Sequence, residues 1–195
     1  MRRINREEKK NATRQKIIDC ALQLFAQQGY AQTTVNQITE QAGVAKGTFF
    51  NYFANKEVVL CDIQLTLATE EISRLQYKQG PIIPLMREAL MGMVRQLPAE
   101  RPLILALFQS TLNNSTLLEL EKTKNEEFKQ MLAAAIELAQ ERGEISKSMP
   151  AKMIAELAVQ TYDGVLLYWS KGLGDEQLSN QMAISFELFF KGLTP

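Results

Sequence analysis

Apolar residues recur every three or four positions along almost the whole chain, while alternating and β-branched runs are too short for strands, so the pattern predicts an all-α fold. The first stripe, Ile17, Ala21, Leu24 and Phe25, stops after Gln28 at Gly29, a residue suited to the left-handed end of a helix. Thr33 and Thr34 then offer an N-cap for a short helix bearing Val35, Ile38 and Ala42, which Gly43 closes. A third short helix is expected from about Ala45 to Tyr52. Gly43 allows a reversal where a side chain would clash, as a helix-turn-helix requires. Ala21, Phe25, Val35, Ile38, Ala42, Val44, Phe49 and Phe53 are spaced to converge on one small core, leaving Lys46, Thr48, Asn51 and Tyr52 outward. Outward polar residues suit a DNA reader and a plain solvated helix equally, so periodicity leaves both open.

Downstream, Asn55 is placed to cap a longer helix running toward Lys78 with Leu60, Ile63 and Leu67 on one face. Gly80-Pro81, Pro84, Pro98 and Pro102 punctuate the next stretch into helices over about 82–97 and 101–113. A long helix from about Ser115 to Arg142 carries Leu117, Leu120, Lys124, Phe128, Met131, Ala135 and Leu138 at helical spacing and ends at Gly143. Ser148-Met149-Pro150 predicts an N-cap with proline in the first turn of a helix reaching about Lys171, and Asp175 is expected to cap the last helix. The chain thus divides into an N-terminal arm and three-helix domain, residues 1–56 with its motif at about 34–53, and a larger helical domain, residues 57–195, with about nine helices in all.

The penultimate helix bears two apolar stripes, Ile154, Leu157, Thr161, Val165 and Tyr168 beside Ala155, Ala158, Tyr162, Leu166 and Trp169. The last helix adds Leu178, Met182, Phe186, Phe189 and Leu193, with Ile184, Leu188 and Phe190 off that line. So much apolar surface implies a second copy of the chain; complete burial within one chain is the alternative.

At 46% hydrophobic and 23% charged residues the chain has an ordinary soluble composition, and its 22 basic and 22 acidic residues cancel. The cancellation hides an asymmetry, since Met1 to Lys56 holds nine basic and four acidic residues and the remainder thirteen and eighteen. A basic N-terminal quarter fits a polyanion partner, or a charged solvated tail. Arg2, Arg3 and Arg6 in particular either reach DNA phosphates or belong to a disordered arm. Cys20 and Cys61 sit apart in apolar helical stretches, which suggests buried thiols in a reducing cytoplasm and no zinc site. The complete lack of histidine, of a phosphate loop and of any nucleophile-base pairing gives no support to an enzyme, and nothing calls for a cofactor. An apolar run such as Gly164 to Trp169 is far too short for a membrane span.

The segments Thr33-Thr34-Val35-Asn36-Gln37-Ile38, Ala42-Gly43-Val44-Ala45-Lys46-Gly47-Thr48-Phe49-Phe50-Asn51-Tyr52-Phe53 and Asn55-Lys56-Glu57 together resemble the N-terminal domain of the TetR family of bacterial transcription regulators. The upstream Ala21-Leu22-Gln23-Leu24-Phe25 and Gly29-Tyr30 extend the resemblance, which covers roughly Thr13 to Leu60. The resemblance implies a cytoplasmic homodimer that binds a double-stranded DNA operator. In that frame Thr33 and Thr34 bind a phosphate, Lys46 and Gly47 lie in the major groove, and Thr48 and Asn51 add contacts. Tyr52 and Lys56 address the backbone. Ala45 and Phe50 stand where the family commonly has serine and tyrosine, so Phe50 offers an apolar contact such as a thymine methyl. The resemblance also implies dimerisation through the last two helices, with Ile154, Leu157, Thr161, Val165, Tyr168, Leu178, Met182, Phe186 and Phe189 as candidates. It further implies repression relieved by a small lipophilic or cationic effector among the middle helices. Met86, Met93, Phe108, Phe128, Met131, Tyr162 and Trp169 either line that pocket or form core, and Asp163 and Glu156 either hold a cation or face solvent. Control by a protein partner, or by no small ligand, stays open.

Overall fold

The computed structural model describes residues 6–60, 62, 72–73, 80–97, 100–175 and 177–194, without the side chains of residues 6, 7, 96 and 116. Every regular element among the described residues is helical. The chain forms two compact units, Met1–Ile63 and Gln64–Pro195.

The first unit holds α1 (Arg6–Gln28), α2 (Val35–Ala42), α3 (Lys46–Tyr52) and the start of α4, helical at residues 56–60 and 62. Its core is built from Ile17, Ala21 and Phe25 of α1, Ile38 and Ala42 of α2, and Phe49 and Phe53 around α3, all buried. Val35 and Val44, expected beside them, are only half-buried. Gly29 ends α1 at φ 80° and Gly43 ends α2 at φ 61°. Both are left-handed positions that a β-carbon disfavours. α2 starts with a capping box, in which the Gln37 N–H donates to Thr34 Oγ1 at 3.2 Å and Gln37 Oε1 accepts from the Thr34 N–H at 2.8 Å. Ala45 gives α3 no side-chain cap, whereas Asn55 Oδ1 accepts from the Val58 N–H at 2.9 Å at the start of α4. Asp62 on α4 is paired with Arg14 of α1, whose guanidinium also lies 5.5 Å from the Phe53 ring centroid.

The second unit holds α5 (Ile82–Gln96), α6 (Arg101–Leu112), α7 (Ser115–Glu141), α8 (Ala151–Ser170) and α9 (Leu178–Lys191). α8 packs on α6, α7 and α9, while α5 packs on α9 and α7. Met86, Ile104, Ile136, Ile154, Trp169, Met182 and Phe186 are among its buried residues. Between α7 and α8 the Gln140 side-chain amide donates to Ser146 O at 2.8 Å and Met149 O at 2.9 Å, holding a loop that Gly143 opens at φ 73°.

Two expected caps are corrected. Ser148 lies outside α8, whose N-cap is Pro150; the Ser148 N–H instead donates to Ser146 Oγ at 3.2 Å. α9 begins at Leu178 with Gln177 at its N-cap, and Asp175 Oδ1 accepts from the Gln177 N–H at 2.8 Å one step earlier. The α7 stripe is also rotated: Leu117, Leu132, Ala133, Ile136 and Ala139 are buried, while Leu138 is exposed. Cys20 is buried as expected. Arg2, Arg3, Cys61, Ile63, Leu67 and Lys78 lie outside the described residues, and Arg6 is described only as the first residue of α1. No described helix is long and apolar enough to cross a membrane.

Candidate nucleic-acid interface, effector region and outer helical face

The turn from α2 to α3 is fixed by Gly43, whose N–H donates to Glu40 O at 3.1 Å, and by the Val44 N–H, which donates to Thr39 O at 3.0 Å. Phe49 and Phe53, with ring centroids 5.6 Å apart, bury the inner side of α3. The remaining residues therefore face outward: Ala45, Lys46, Gly47, Phe50 and Asn51 are exposed, and Thr48 and Tyr52 half-exposed. Phe50 is 47% exposed, an apolar surface on an otherwise polar helix. The surroundings of Gly47 are open, so its missing side chain leaves room for another molecule's approach. Thr34 is exposed at the N-terminus of α2, where free N–H groups and the helix dipole attract anions.

Two of the expected contact residues are turned inward. Thr33 is fully buried: its hydroxyl donates to Gly29 O at 2.8 Å and accepts from Gln28 Nε2 at 3.2 Å. It is a structural hydroxyl, and Thr34 alone of the pair reaches the surface. Lys56, half-buried, donates from Nζ to Tyr30 O at 2.9 Å and Thr33 O at 3.0 Å, and its ammonium stands 4.0 Å from the Tyr30 ring centroid.

In the second unit, Met86, Met93 and Trp169 are buried, and Phe108, Phe128, Met131 and Tyr162 are half-buried. Glu156 is exposed, which leaves Asp163 as the inward carboxyl of that pair. Burial pushes Asp163 up to about 6, with the charge of Glu121 adding to the shift. Glu121 on α7 is itself raised by burial, partly offset by a hydrogen bond from buried Thr111 on α6. Burial and then the Asp163 charge push the Tyr162 phenol up as well. Sequence reasoning missed Glu121 and Thr111, whose polarity gave no sign that they face one another.

The α8 and α9 stripes divide differently from expectation. Ile154, Val165, Leu178, Met182 and Phe186 are buried within their own chain. Outside lie Met153, Leu157 and Tyr168 of α8, the last 50% exposed, with Ile184 and Leu188 of α9, the last 68% exposed. Thr161 and Phe189 are intermediate. Since α8 and α9 pack together, this is an outward apolar face on a bundle whose inward face is already satisfied.

The model of bacterial regulatory proteins of the tetR family matches residues 17–62, a segment that lies within the first unit. The regulator UidR of Escherichia coli is 22% identical over 164 residues, 83% of this chain and 84% of its own. The fatty acid metabolism regulator protein of Bacillus subtilis is 42% identical over 72 residues, 37% of this chain and 31% of its own. Among solved structures, that of the repressor FadR of Thermus thermophilus, in complex with lauroyl-CoA, is similar with a TM-score of 0.66 at 24% identity. It covers 93% of this chain and 95% of that one, a likeness of fold.

Proposed function

We infer that this chain, which belongs to the TetR family of bacterial regulators, is a cytoplasmic repressor that leaves a near-palindromic operator when a small molecule binds its second unit. The family is one of DNA-binding regulators rather than enzymes. The observation that carries the reading is the outer side of α3, where Lys46, Gly47, Thr48, Phe50, Asn51 and Tyr52 gather over a core sealed by Phe49 and Phe53. A rigid short helix with a positive residue at its first turn and a glycine beside it is shaped for the major groove. Lys46 reads a guanine edge or a phosphate, Phe50 packs on a thymine methyl, and Thr34, with the first turn of α2, holds a phosphate. Ala45 contributes only close backbone approach.

Two copies joined through Leu157, Tyr168, Ile184 and Leu188 would carry two recognition helices, and two such helices read half-sites about 34–36 Å apart on a two-fold operator. The effector we assign is lipophilic and neutral or cationic. The half-buried Phe108, Phe128 and Met131 supply apolar surface, and the carboxyls of Asp163 and Glu121 oppose an anionic group. Such a ligand acts by binding the DNA-free arrangement more tightly than the DNA-bound one. The test is a gel shift with DNA flanking the chain's own gene at fixed salt, then with lipophilic amines added. No saturable specific complex refutes the regulator, and a complex indifferent both to every amine and to neutral lipophiles of similar size refutes the effector class.

A further inference from the structure

We propose that Lys56 and Glu57 are positioning residues that clamp the α1–α2 turn onto the first turn of α4, and that Lys56 sets the placement of Thr34 instead of touching DNA itself. The inference rests on the DNA-binding reading above. Tyr30 is the other half of the clamp: it is buried, and its ring packs against Phe25 at 5.2 Å between centroids. Its phenol donates to the Glu57 carboxylate, while the Lys56 ammonium lies over its ring and donates to the carbonyls of Tyr30 and Thr33 at 2.9 and 3.0 Å.

An ammonium has three donors and no acceptor. Two of the three end on carbonyls of one short turn, and the aromatic face draws the same charge inward. The next residue after the second carbonyl is Thr34, whose hydroxyl and N–H make the capping box of α2. Thr33 is pinned from the other side through its hydroxyl on Gly29 O. The backbone leading into the α2 N-terminus is therefore held from below by Lys56 and from behind by α1. Releasing Lys56 frees the turn that aims the first N–H groups of α2.

A phosphate contact and a positioning role differ in salt dependence. Each phosphate neutralised contributes about 0.9 to the slope of log affinity against log salt. Lys56→Ala, and Lys56→Gln as the milder variant, are compared with the unmodified chain on a duplex that the latter enriches from a random-sequence pool. Binding is read well below the melting temperature, where a residue serving stability alone leaves the affinity of the folded chain unchanged. Amide exchange over residues 30–37 is followed without DNA, so the clamp is read even if no duplex is enriched. Positioning predicts a tenfold or greater loss of affinity at an unchanged slope, with faster exchange of the Thr33, Thr34 and Gln37 amides. Tyr30→Phe, which removes no charge, then weakens binding in the same direction. A slope lower by about one makes Lys56 a phosphate contact and overturns the proposal, as does unchanged affinity or unchanged exchange.

Discussion

Replacing Gly43 by alanine isolates the conformational requirement of the helix-turn-helix from its packing. Gly43 stands at φ 61° and ψ 37°, inside the left-handed region. A β-carbon built there meets only Lys16 Nζ, at 3.7 Å, the far end of a flexible exposed side chain, so no steric penalty is added. The cost is then the left-handed backbone itself, about 1–2 kcal/mol for an L-residue. The lower chain entropy of unfolded alanine returns roughly 0.5 kcal/mol. A net loss of about 1 kcal/mol corresponds to an opening constant of the first unit about fivefold larger, read as about fivefold faster amide exchange. The assay is native-state amide exchange of α2 and α3, which reports on this unit even though the chain has two. Asparagine, which tolerates the left-handed region, should cost less than alanine. A D-alanine introduced by semisynthesis should cost nothing. If asparagine and alanine cost the same, or D-alanine costs as much as L-alanine, the loss lies in contacts and not in backbone conformation.

Asp163 gives a pH prediction. Its folded pKa of about 6 lies above the ordinary carboxylate value, so the folded chain holds the extra proton and stability declines as pH rises from about 4 through 6. Asp163→Asn should remove that decline and melt higher than the parent near pH 8; equal melting temperatures across the range would reject it. A cationic effector should likewise release DNA well above about pH 6 and poorly below, seen by titrating one amine at both pH values. Leu188→Glu should yield folded monomers by sedimentation with unchanged helical content, whereas Met182→Glu, at a fully buried site, should unfold the second unit. Persistence of a dimer in Leu188→Glu would move the interface elsewhere. Lys46→Ala should reorder preferences among operator variants, and Thr34→Ala should weaken all of them alike; a uniform loss for Lys46→Ala would make it a phosphate contact.

Where proline and glycine punctuate the chain, sequence periodicity located the helices well: α5, α6 and α7 begin and end beside Pro81, Pro102 and Gly143 as expected. The turn geometry at Gly29 and Gly43 was legible for the same reason, since few residues other than glycine occupy that region. The caps at Ser148 and Asp175 misled because a hydroxyl or carboxylate near a helix start can serve a preceding turn equally well. The burial of Thr33 was not legible because residue type gives chemistry without direction; two adjacent threonines look alike until one is found bonded to Gly29 O, and nothing in the sequence shows that the Lys56 ammonium bonds the carbonyls of Tyr30 and Thr33. The α8 and α9 stripes were recognised as excess apolar surface, but helical spacing cannot say which of two apolar faces turns inward.

The division of α8 and α9 into a face that holds the chain together and a face that is left over has a consequence for cells that carry several related regulators. Ile154, Met182 and Phe186 are buried in the bundle, while Leu157, Tyr168, Ile184 and Leu188 keep much of their surface outside it. In the proposed dimer, pairing preference would then drift through these few outer positions at little cost to the fold. Paralogues that arise by duplication could cease to form mixed pairs, and so stop occupying each other's promoters, before any residue of the DNA-reading helix has changed.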